Sequence, residues 1–116
     1  MQLIRFSKGL TFNLDRIDSI ETVNLNVDGK YTPEDADYQD GEYELTNDYQ
    51  YPFCIDVFMG MNAETVYRTS SSEDMLETYE RLLEYIADGI RSGSTIIDLS
   101  EILKNSQPER YNTDGE

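Results

Sequence analysis

The chain has 116 residues, 24 of them acidic and nine basic, with no histidine, one cysteine and a formal net charge of -15. This length fits one domain with one hydrophobic core and leaves no room for a second catalytic domain. The charge disfavours direct binding to nucleic acid or to anionic membranes, and the lack of histidine excludes His-dependent bases, triads and metal ligands.

Apolar and polar residues alternate over 1–27 and again over 51–69 with the period of two that is typical of strands. A first hairpin is predicted around a tight turn at 7–9, and a third strand is predicted over 17–27. Two further strands, over 51–59 and 64–69, predict an antiparallel hairpin that turns at Gly60.

The strongest local pattern lies in the second half of the chain. Apolar residues recur at three- and four-residue steps from Met75 to Ile90, after serines that are suited to N-capping. A helix of about five turns is therefore predicted, ending near Gly93. A short strand over 95–97 and a capping box that opens a small helix over 98–104 are predicted to follow.

This order of elements predicts an α+β domain in which one antiparallel sheet of about five or six strands is packed by a long C-terminal amphipathic helix. A pleckstrin-homology-like half barrel has this order, and so do other combinations of one sheet and one helix. The domain is predicted over 1–105, with a flexible C-terminal tail over 106–116.

Cysteine usage and the absence of targeting patterns predict a cytoplasmic location. Cys54 cannot form an internal disulfide, and no signal-peptide pattern or apolar run of membrane-spanning length occurs. Because Cys54 lies in the most apolar strand, we expect a small buried hydrophobe rather than a reactive thiolate.

No enzymatic chemistry is predicted. The seven glycines are scattered singly, so no phosphate-binding loop is present, and no pair of acids is singled out for glycosidase chemistry. The acids between Asp35 and Thr46 fail the calcium-loop pattern, since Asp40 stands at the position of the required glycine. We expect no catalytic residue, no cofactor and no dedicated metal site, while weak cation binding by these acids stays open.

Most of the negative charge falls in two segments. The segment 28–48, predicted to be a long loop with a short edge strand over 42–45, holds eight acids and one lysine. On the predicted helix, acidic residues follow three- and four-residue steps opposite the apolar residues. The predicted partner-binding residues are Glu34, Asp35, Asp37, Asp40, Glu42 and Glu44 in the loop and Glu77, Glu80, Glu84 and Asp88 on the helix.

A concentrated negative surface with interspersed tyrosines suits the basic groove in which another protein binds nucleic acid. The acidic stretches PEDADYQDGEYE and EDMLETYERLLEYIAD, in a small chain without a catalytic motif, give it a resemblance to phage-encoded inhibitors of host defence. These are the anti-CRISPR and anti-restriction proteins that act as DNA mimics. The resemblance implies inhibition of a CRISPR or restriction nuclease through its basic groove, with a protein as the partner.

Two other interpretations of the acidity are open. It can serve solubility alone, or the chain can be a structural or assembly module whose exposed strand edge pairs with a second copy in a homo-oligomer. Sheet and apolar contacts should survive high salt, whereas groove mimicry should weaken as ionic strength rises, so salt dependence separates the alternatives.

Overall fold

A computed structural model describes residues 1–25 and 51–107 of the chain. Within these ranges the α+β class is confirmed, and a 3₁₀ turn, Leu14–Arg16, joins the second and third strands. The elements in chain order are β1 (Leu3–Ser7), β2 (Leu10–Asn13), β3 (Ser19–Asn24), β4 (Phe53–Met59), β5 (Asn62–Thr69), α1 (Ser72–Ser92) and β6 (Ile96–Asp98).

The strands of the described ranges form two sheets of three, so the prediction of one antiparallel sheet of five or six strands is wrong there. In the first sheet, of order β2-β1-β6, β1 pairs antiparallel with β2 and parallel with β6. In the second sheet, of order β3-β4-β5, both pairs are antiparallel. The sheets are separate because β2 and β3, which are consecutive in the chain, do not pair, while β6 adds to β1 in parallel, and local periodicity encodes neither feature.

Helix α1 lies where the apolar periodicity indicates a helix. The Ser71 hydroxyl caps its first turn by accepting a hydrogen bond from the Asp74 N–H at 3.1 Å, and Gly93 ends it in the left-handed conformation at φ 74°. The expectation that a C-terminal helix closes the domain is wrong, because β6 follows α1. The pleckstrin-homology-like arrangement is wrong for the same reason.

The segment after β6 turns instead of forming the predicted small helix. The Asp98 carboxylate accepts hydrogen bonds from the Ser100 N–H at 3.0 Å and hydroxyl at 2.6 Å, while Glu101 pairs with Lys104 at 3.1 Å. The predicted capping box is therefore wrong, since the Asp98 side chain closes a turn two residues ahead. These bonds, with the Arg5 guanidinium, hold the pKa of Asp98 below its usual value.

One hydrophobic core joins both sheets to the helix. In β4, Ile55 and Val57 are completely buried. Cys54 is also buried, as predicted, with 2 % of its surface exposed. The core residues are Ile4, Phe6, Ile55, Val57, Tyr67, Met75, Leu82, Ile86, Ile97, Leu99 and Leu103.

The C-terminal end of α1 packs so closely on β6 that position 89 has no space for a side chain. A Cβ atom added to Gly89 would lie 2.6 Å from Cγ1 of Ile97 and 2.9 Å from its Cδ1. The Gln2 side-chain amide also donates hydrogen bonds to the carbonyl oxygens of Gly89, at 3.1 Å, and Ser94, at 2.9 Å. Helix, β6 and the start of β1 are thus fixed together at this point.

Replacing Gly89 with alanine should lower the free energy of unfolding by about 1–3 kcal/mol, because overpacking against Ile97 exceeds the gain of about 1 kcal/mol in helix propensity. Gly9→Ala is the matched control, since no atom lies within 4 Å of its Cβ position. Urea unfolding of both variants measures the difference. Equal stability of Gly89→Ala and the wild type would contradict the close packing of α1 on β6.

Candidate functional site

Five exposed carboxylates line one side of α1. We call this stripe, formed by Glu73, Glu77, Glu80, Glu84 and Asp88, the acidic face. The steps of three and four residues keep the stripe on one side of the helix, opposite the side that buries the core residues of α1. At 1.5 Å per residue, the stripe is about 22 Å long.

Most carboxylates of the acidic face have no partner, in contrast to acids elsewhere in the described ranges. Asp88 pairs with Arg91, but the carboxylates of Glu73, Glu77, Glu80 and Glu84 form no hydrogen bond or ion pair with any described residue. Away from α1, side-chain partners are the rule. The bonded acids outside α1 are Asp18 (to the Gly60 N–H), Glu21 (to Ser19), Asp56 (to Thr65), Asp98 and Glu101.

The structure brings together the four predicted partner-binding residues that lie on the helix. Glu77, Glu80, Glu84 and Asp88 are all exposed, and all belong to the acidic face. The other six predicted residues lie outside the described residues, as do the loop over 28–48, its edge strand and most of the predicted tail. Those six are Glu34, Asp35, Asp37, Asp40, Glu42 and Glu44.

Asp74 is an acid of α1 that belongs to the fold and not to the acidic face. Its carboxylate accepts hydrogen bonds from the hydroxyl groups of Tyr67 at 2.9 Å, Thr69 at 2.8 Å and Thr78 at 3.3 Å. Burial raises the pKa of Tyr67, and its bond to Asp74 raises it further. Charge alone does not distinguish Asp74 from the other acids of the helix. The signal that could have separated it is the pair of threonines five residues before and four residues after.

Replacing Asp74 with asparagine should lower the free energy of unfolding by about 1.5–3 kcal/mol. An amide oxygen is uncharged and its NH₂ group cannot accept, so the three hydroxyl donors cannot all be satisfied. Glu73→Gln, next in the chain and exposed, changes the charge equally and should stay within about 0.5 kcal/mol of the wild type. Equal losses in the two variants, measured by chemical unfolding, would contradict a structural role for Asp74.

The acidic face itself costs stability, because carboxylates at three- and four-residue steps repel each other by about 0.2–0.5 kcal/mol per pair. Glu80 has such neighbours in Glu77 and Glu84. Glu80→Gln should therefore raise the free energy of unfolding by about 0.5 kcal/mol at low salt. Glu64→Gln, an exposed acid on β5, serves as the control.

The gain of Glu80→Gln over Glu64→Gln should shrink in 1 M salt, where charges are screened over about 3 Å. Thermal or urea unfolding at two salt concentrations measures it. A loss of stability in Glu80→Gln would mean that this carboxylate has a bonding role in the fold.

The described ranges contain neither a cluster of metal-ligating side chains nor a helix that could cross a membrane. No three of their Cys, Asp or Glu side chains are grouped so that they could hold a metal ion. None of the helical segments described is long and apolar enough to cross a membrane. The acids between Asp35 and Thr46, for which the sequence leaves weak cation binding open, lie outside the described ranges.

Comparison of the chain with family models, with curated proteins and with solved structures finds no match in any of the three.

Proposed function

We propose that the protein is a non-enzymatic acidic binding protein that occupies the basic nucleic-acid groove of a protein partner as a DNA mimic. The partner that we propose is a nuclease such as a CRISPR or restriction nuclease. The observation that carries the proposal is the acidic face, where the carboxylates of Glu73, Glu77, Glu80 and Glu84 are exposed and without partners among the described residues. Such carboxylates are available to the Lys and Arg side chains of a groove.

The cost of the acidic face supports a role outside the fold. Like charges at helical spacing oppose folding, and solubility alone does not require that they lie on one stripe. Helix α1 is capped at both ends and packed on the core, so its carboxylates are presented by a rigid element. Preorganised charges lose less conformational entropy on binding than charges on an unfolded segment.

Charge density sets what the acidic face can do by itself. Five carboxylates over about 22 Å give roughly one charge per 5 Å, below the one per 3.4 Å along a DNA strand. The segment 28–48, with a formal net charge of -7, is the further source of charge that we propose for the mimic. Its acids would act with the acidic face in one groove, and the long-range attraction would speed association.

The proposal places the protein where its partner works, in the cytoplasm, or in the host cytoplasm if a phage encodes it. Its contacts are with a protein, and it binds neither nucleic acid nor a membrane directly. The net charge of -15 repels nucleic acid, which is also negatively charged, and this repulsion supports a protein as the binding partner.

The test compares two triple variants with the same change of charge. Glu77→Gln, Glu80→Gln and Glu84→Gln together form the helix variant. Its control combines Glu21→Gln, Asp56→Asn and Glu101→Gln, three acids that lie on β3, on β4 and after β6. Each protein is immobilised, incubated with host lysate at low salt, and eluted first with 30-base-pair duplex DNA and then with a salt gradient.

We expect the wild type and the control to capture basic nucleic-acid-binding proteins that the duplex displaces, and the helix variant to lose most of them. Purified captured proteins should then bind DNA at least tenfold more weakly in the presence of excess wild type. Capture that is equal for both triple variants, or that the duplex does not reverse, would overturn the proposal.

The alternative of a homo-oligomeric assembly module is favoured by one observation, the outer side of β2, with which no strand of the described ranges pairs. Sedimentation of the purified protein at low salt and at 1 M salt separates the two functions. A salt-resistant oligomer supports assembly, because strand pairing and apolar contacts are screened little. A monomer at both salt concentrations removes this alternative.

A further inference from the structure

A cleft of about 690 Å³ opens between β2 and the hairpin formed by β4 and β5. Thr11 and Asn13 of β2 line one wall, Arg16 of the 3₁₀ turn lies in it, and Asn62 and Glu64 of β5 line the other wall. Its volume is within the range of about 300–1,000 Å³ that is common for ligand sites. No sequence motif indicated this cleft, because its walls come from segments about 50 residues apart.

The wall formed by β2 is an unpaired strand edge. The Leu14 N–H donates to the Gln2 carbonyl oxygen at 2.9 Å, and paired positions alternate along an antiparallel strand, so Phe12 also bonds towards β1. The N–H and C=O of Thr11 and the N–H of Asn13 therefore point away from β1, while the Asn13 C=O, at the N-cap position, accepts the first hydrogen bond of the 3₁₀ turn. In the part of the chain that is described, no strand lies on that side of β2.

The charged side chains of the cleft favour a basic occupant. Three carboxylates, on Asp15, Asp18 and Glu64, and one guanidinium, on Arg16, lie along it. The Asp18 carboxylate accepts a hydrogen bond from the Gly60 N–H at 2.6 Å, while Asp15 and Glu64 have no side-chain partner among the described residues. A second copy of this chain, with its net charge of -15, is electrostatically disfavoured as the occupant.

We propose that this cleft binds an extended, basic peptide segment of a partner protein, which pairs with the outer edge of β2 as a fourth strand of the first sheet. The N–H and C=O of Thr11 and the N–H of Asn13 supply the hydrogen bonds. Lysine or arginine at alternate positions of the peptide faces Asp15, Asp18 and Glu64. Residues on the opposite side of the peptide contact Phe12 and Met59, which also line the cleft. The inference does not use the acidic face and is independent of the proposed function.

The test titrates isotope-labelled protein with a pool of end-blocked hexapeptides in which lysine alternates with Val, Ile, Thr, Tyr or Phe. Amide chemical shifts report where the pool binds, and we expect saturable shifts at Thr11, Asn13 and Gly60. Thr11→Pro should weaken binding at least tenfold, because proline removes the outward N–H and is tolerated at a strand edge. Thr11→Ala keeps that N–H and should bind like the wild type.

A second measurement covers the case in which Thr11→Pro does not fold. Pools with N-methylated amides at alternate positions, in both registers, lose the donors for strand pairing and should bind the wild type at least tenfold more weakly. Undiminished binding of these pools, or of a folded Thr11→Pro, would overturn strand pairing. Equal binding of a pool with glutamate in place of lysine would overturn the charge preference.

The helix variant separates this inference from the proposed function, because it should bind the lysine pool as well as the wild type does. Loss of binding in the helix variant, or shifts confined to α1, would mean that the pool binds the acidic face, which overturns the cleft and leaves the proposed function standing. Concentration-dependent shifts at Thr11 and Asn13 without peptide would identify a second copy as the occupant and overturn the inference.

Discussion

Contact between Gly89 of α1 and Ile97 of β6 brings the end of the helix to the first sheet, while the start of the helix packs over the second. The two ends are fixed by different chemistry. Close packing and the Gln2 amide hold the C-terminal end, and the Asp74 carboxylate holds the N-terminal end to β5. Since α1 contacts both sheets, its position determines how they meet around one core. The direction of the acidic face follows from the same two attachments.

Two groups among the described acids have different physical roles. Asp74 and Asp98 each accept two or more hydrogen bonds and stabilise a helix start or a turn. The carboxylates of the acidic face do neither, and their mutual repulsion is balanced by the apolar contacts on the other side of α1. A count of charges along the chain cannot separate these groups. The two groups differ in whether the fold brings hydrogen-bond donors within bonding distance of the carboxylate.

What could be predicted from the sequence depends on distance along the chain. The helix, the β4–β5 hairpin and the burial of Cys54 follow from short-range periodicity, and the acidic face follows from three- and four-residue spacing on a helix. The division into two sheets could not be predicted, because periodicity does not show that β2 and β3 do not pair, or that β6 pairs with β1 across 93 residues, the separation of the Arg5–Asp98 pair. The cleft was missed for the same reason. The three hydroxyl groups that donate to Asp74 could not be predicted either, because the sequence does not show that β5 ends beside the first turn of α1.

The late arrival of β6 has a consequence for biosynthesis. The second sheet and α1 consist of segments that precede β6 in the chain, but β1 cannot gain its parallel neighbour until Ile96–Asp98 has left the ribosome. Such long-range closure raises the contact order and slows the final folding step. Until then β1 has one side without a strand, and an unpaired strand edge is prone to pair with another chain.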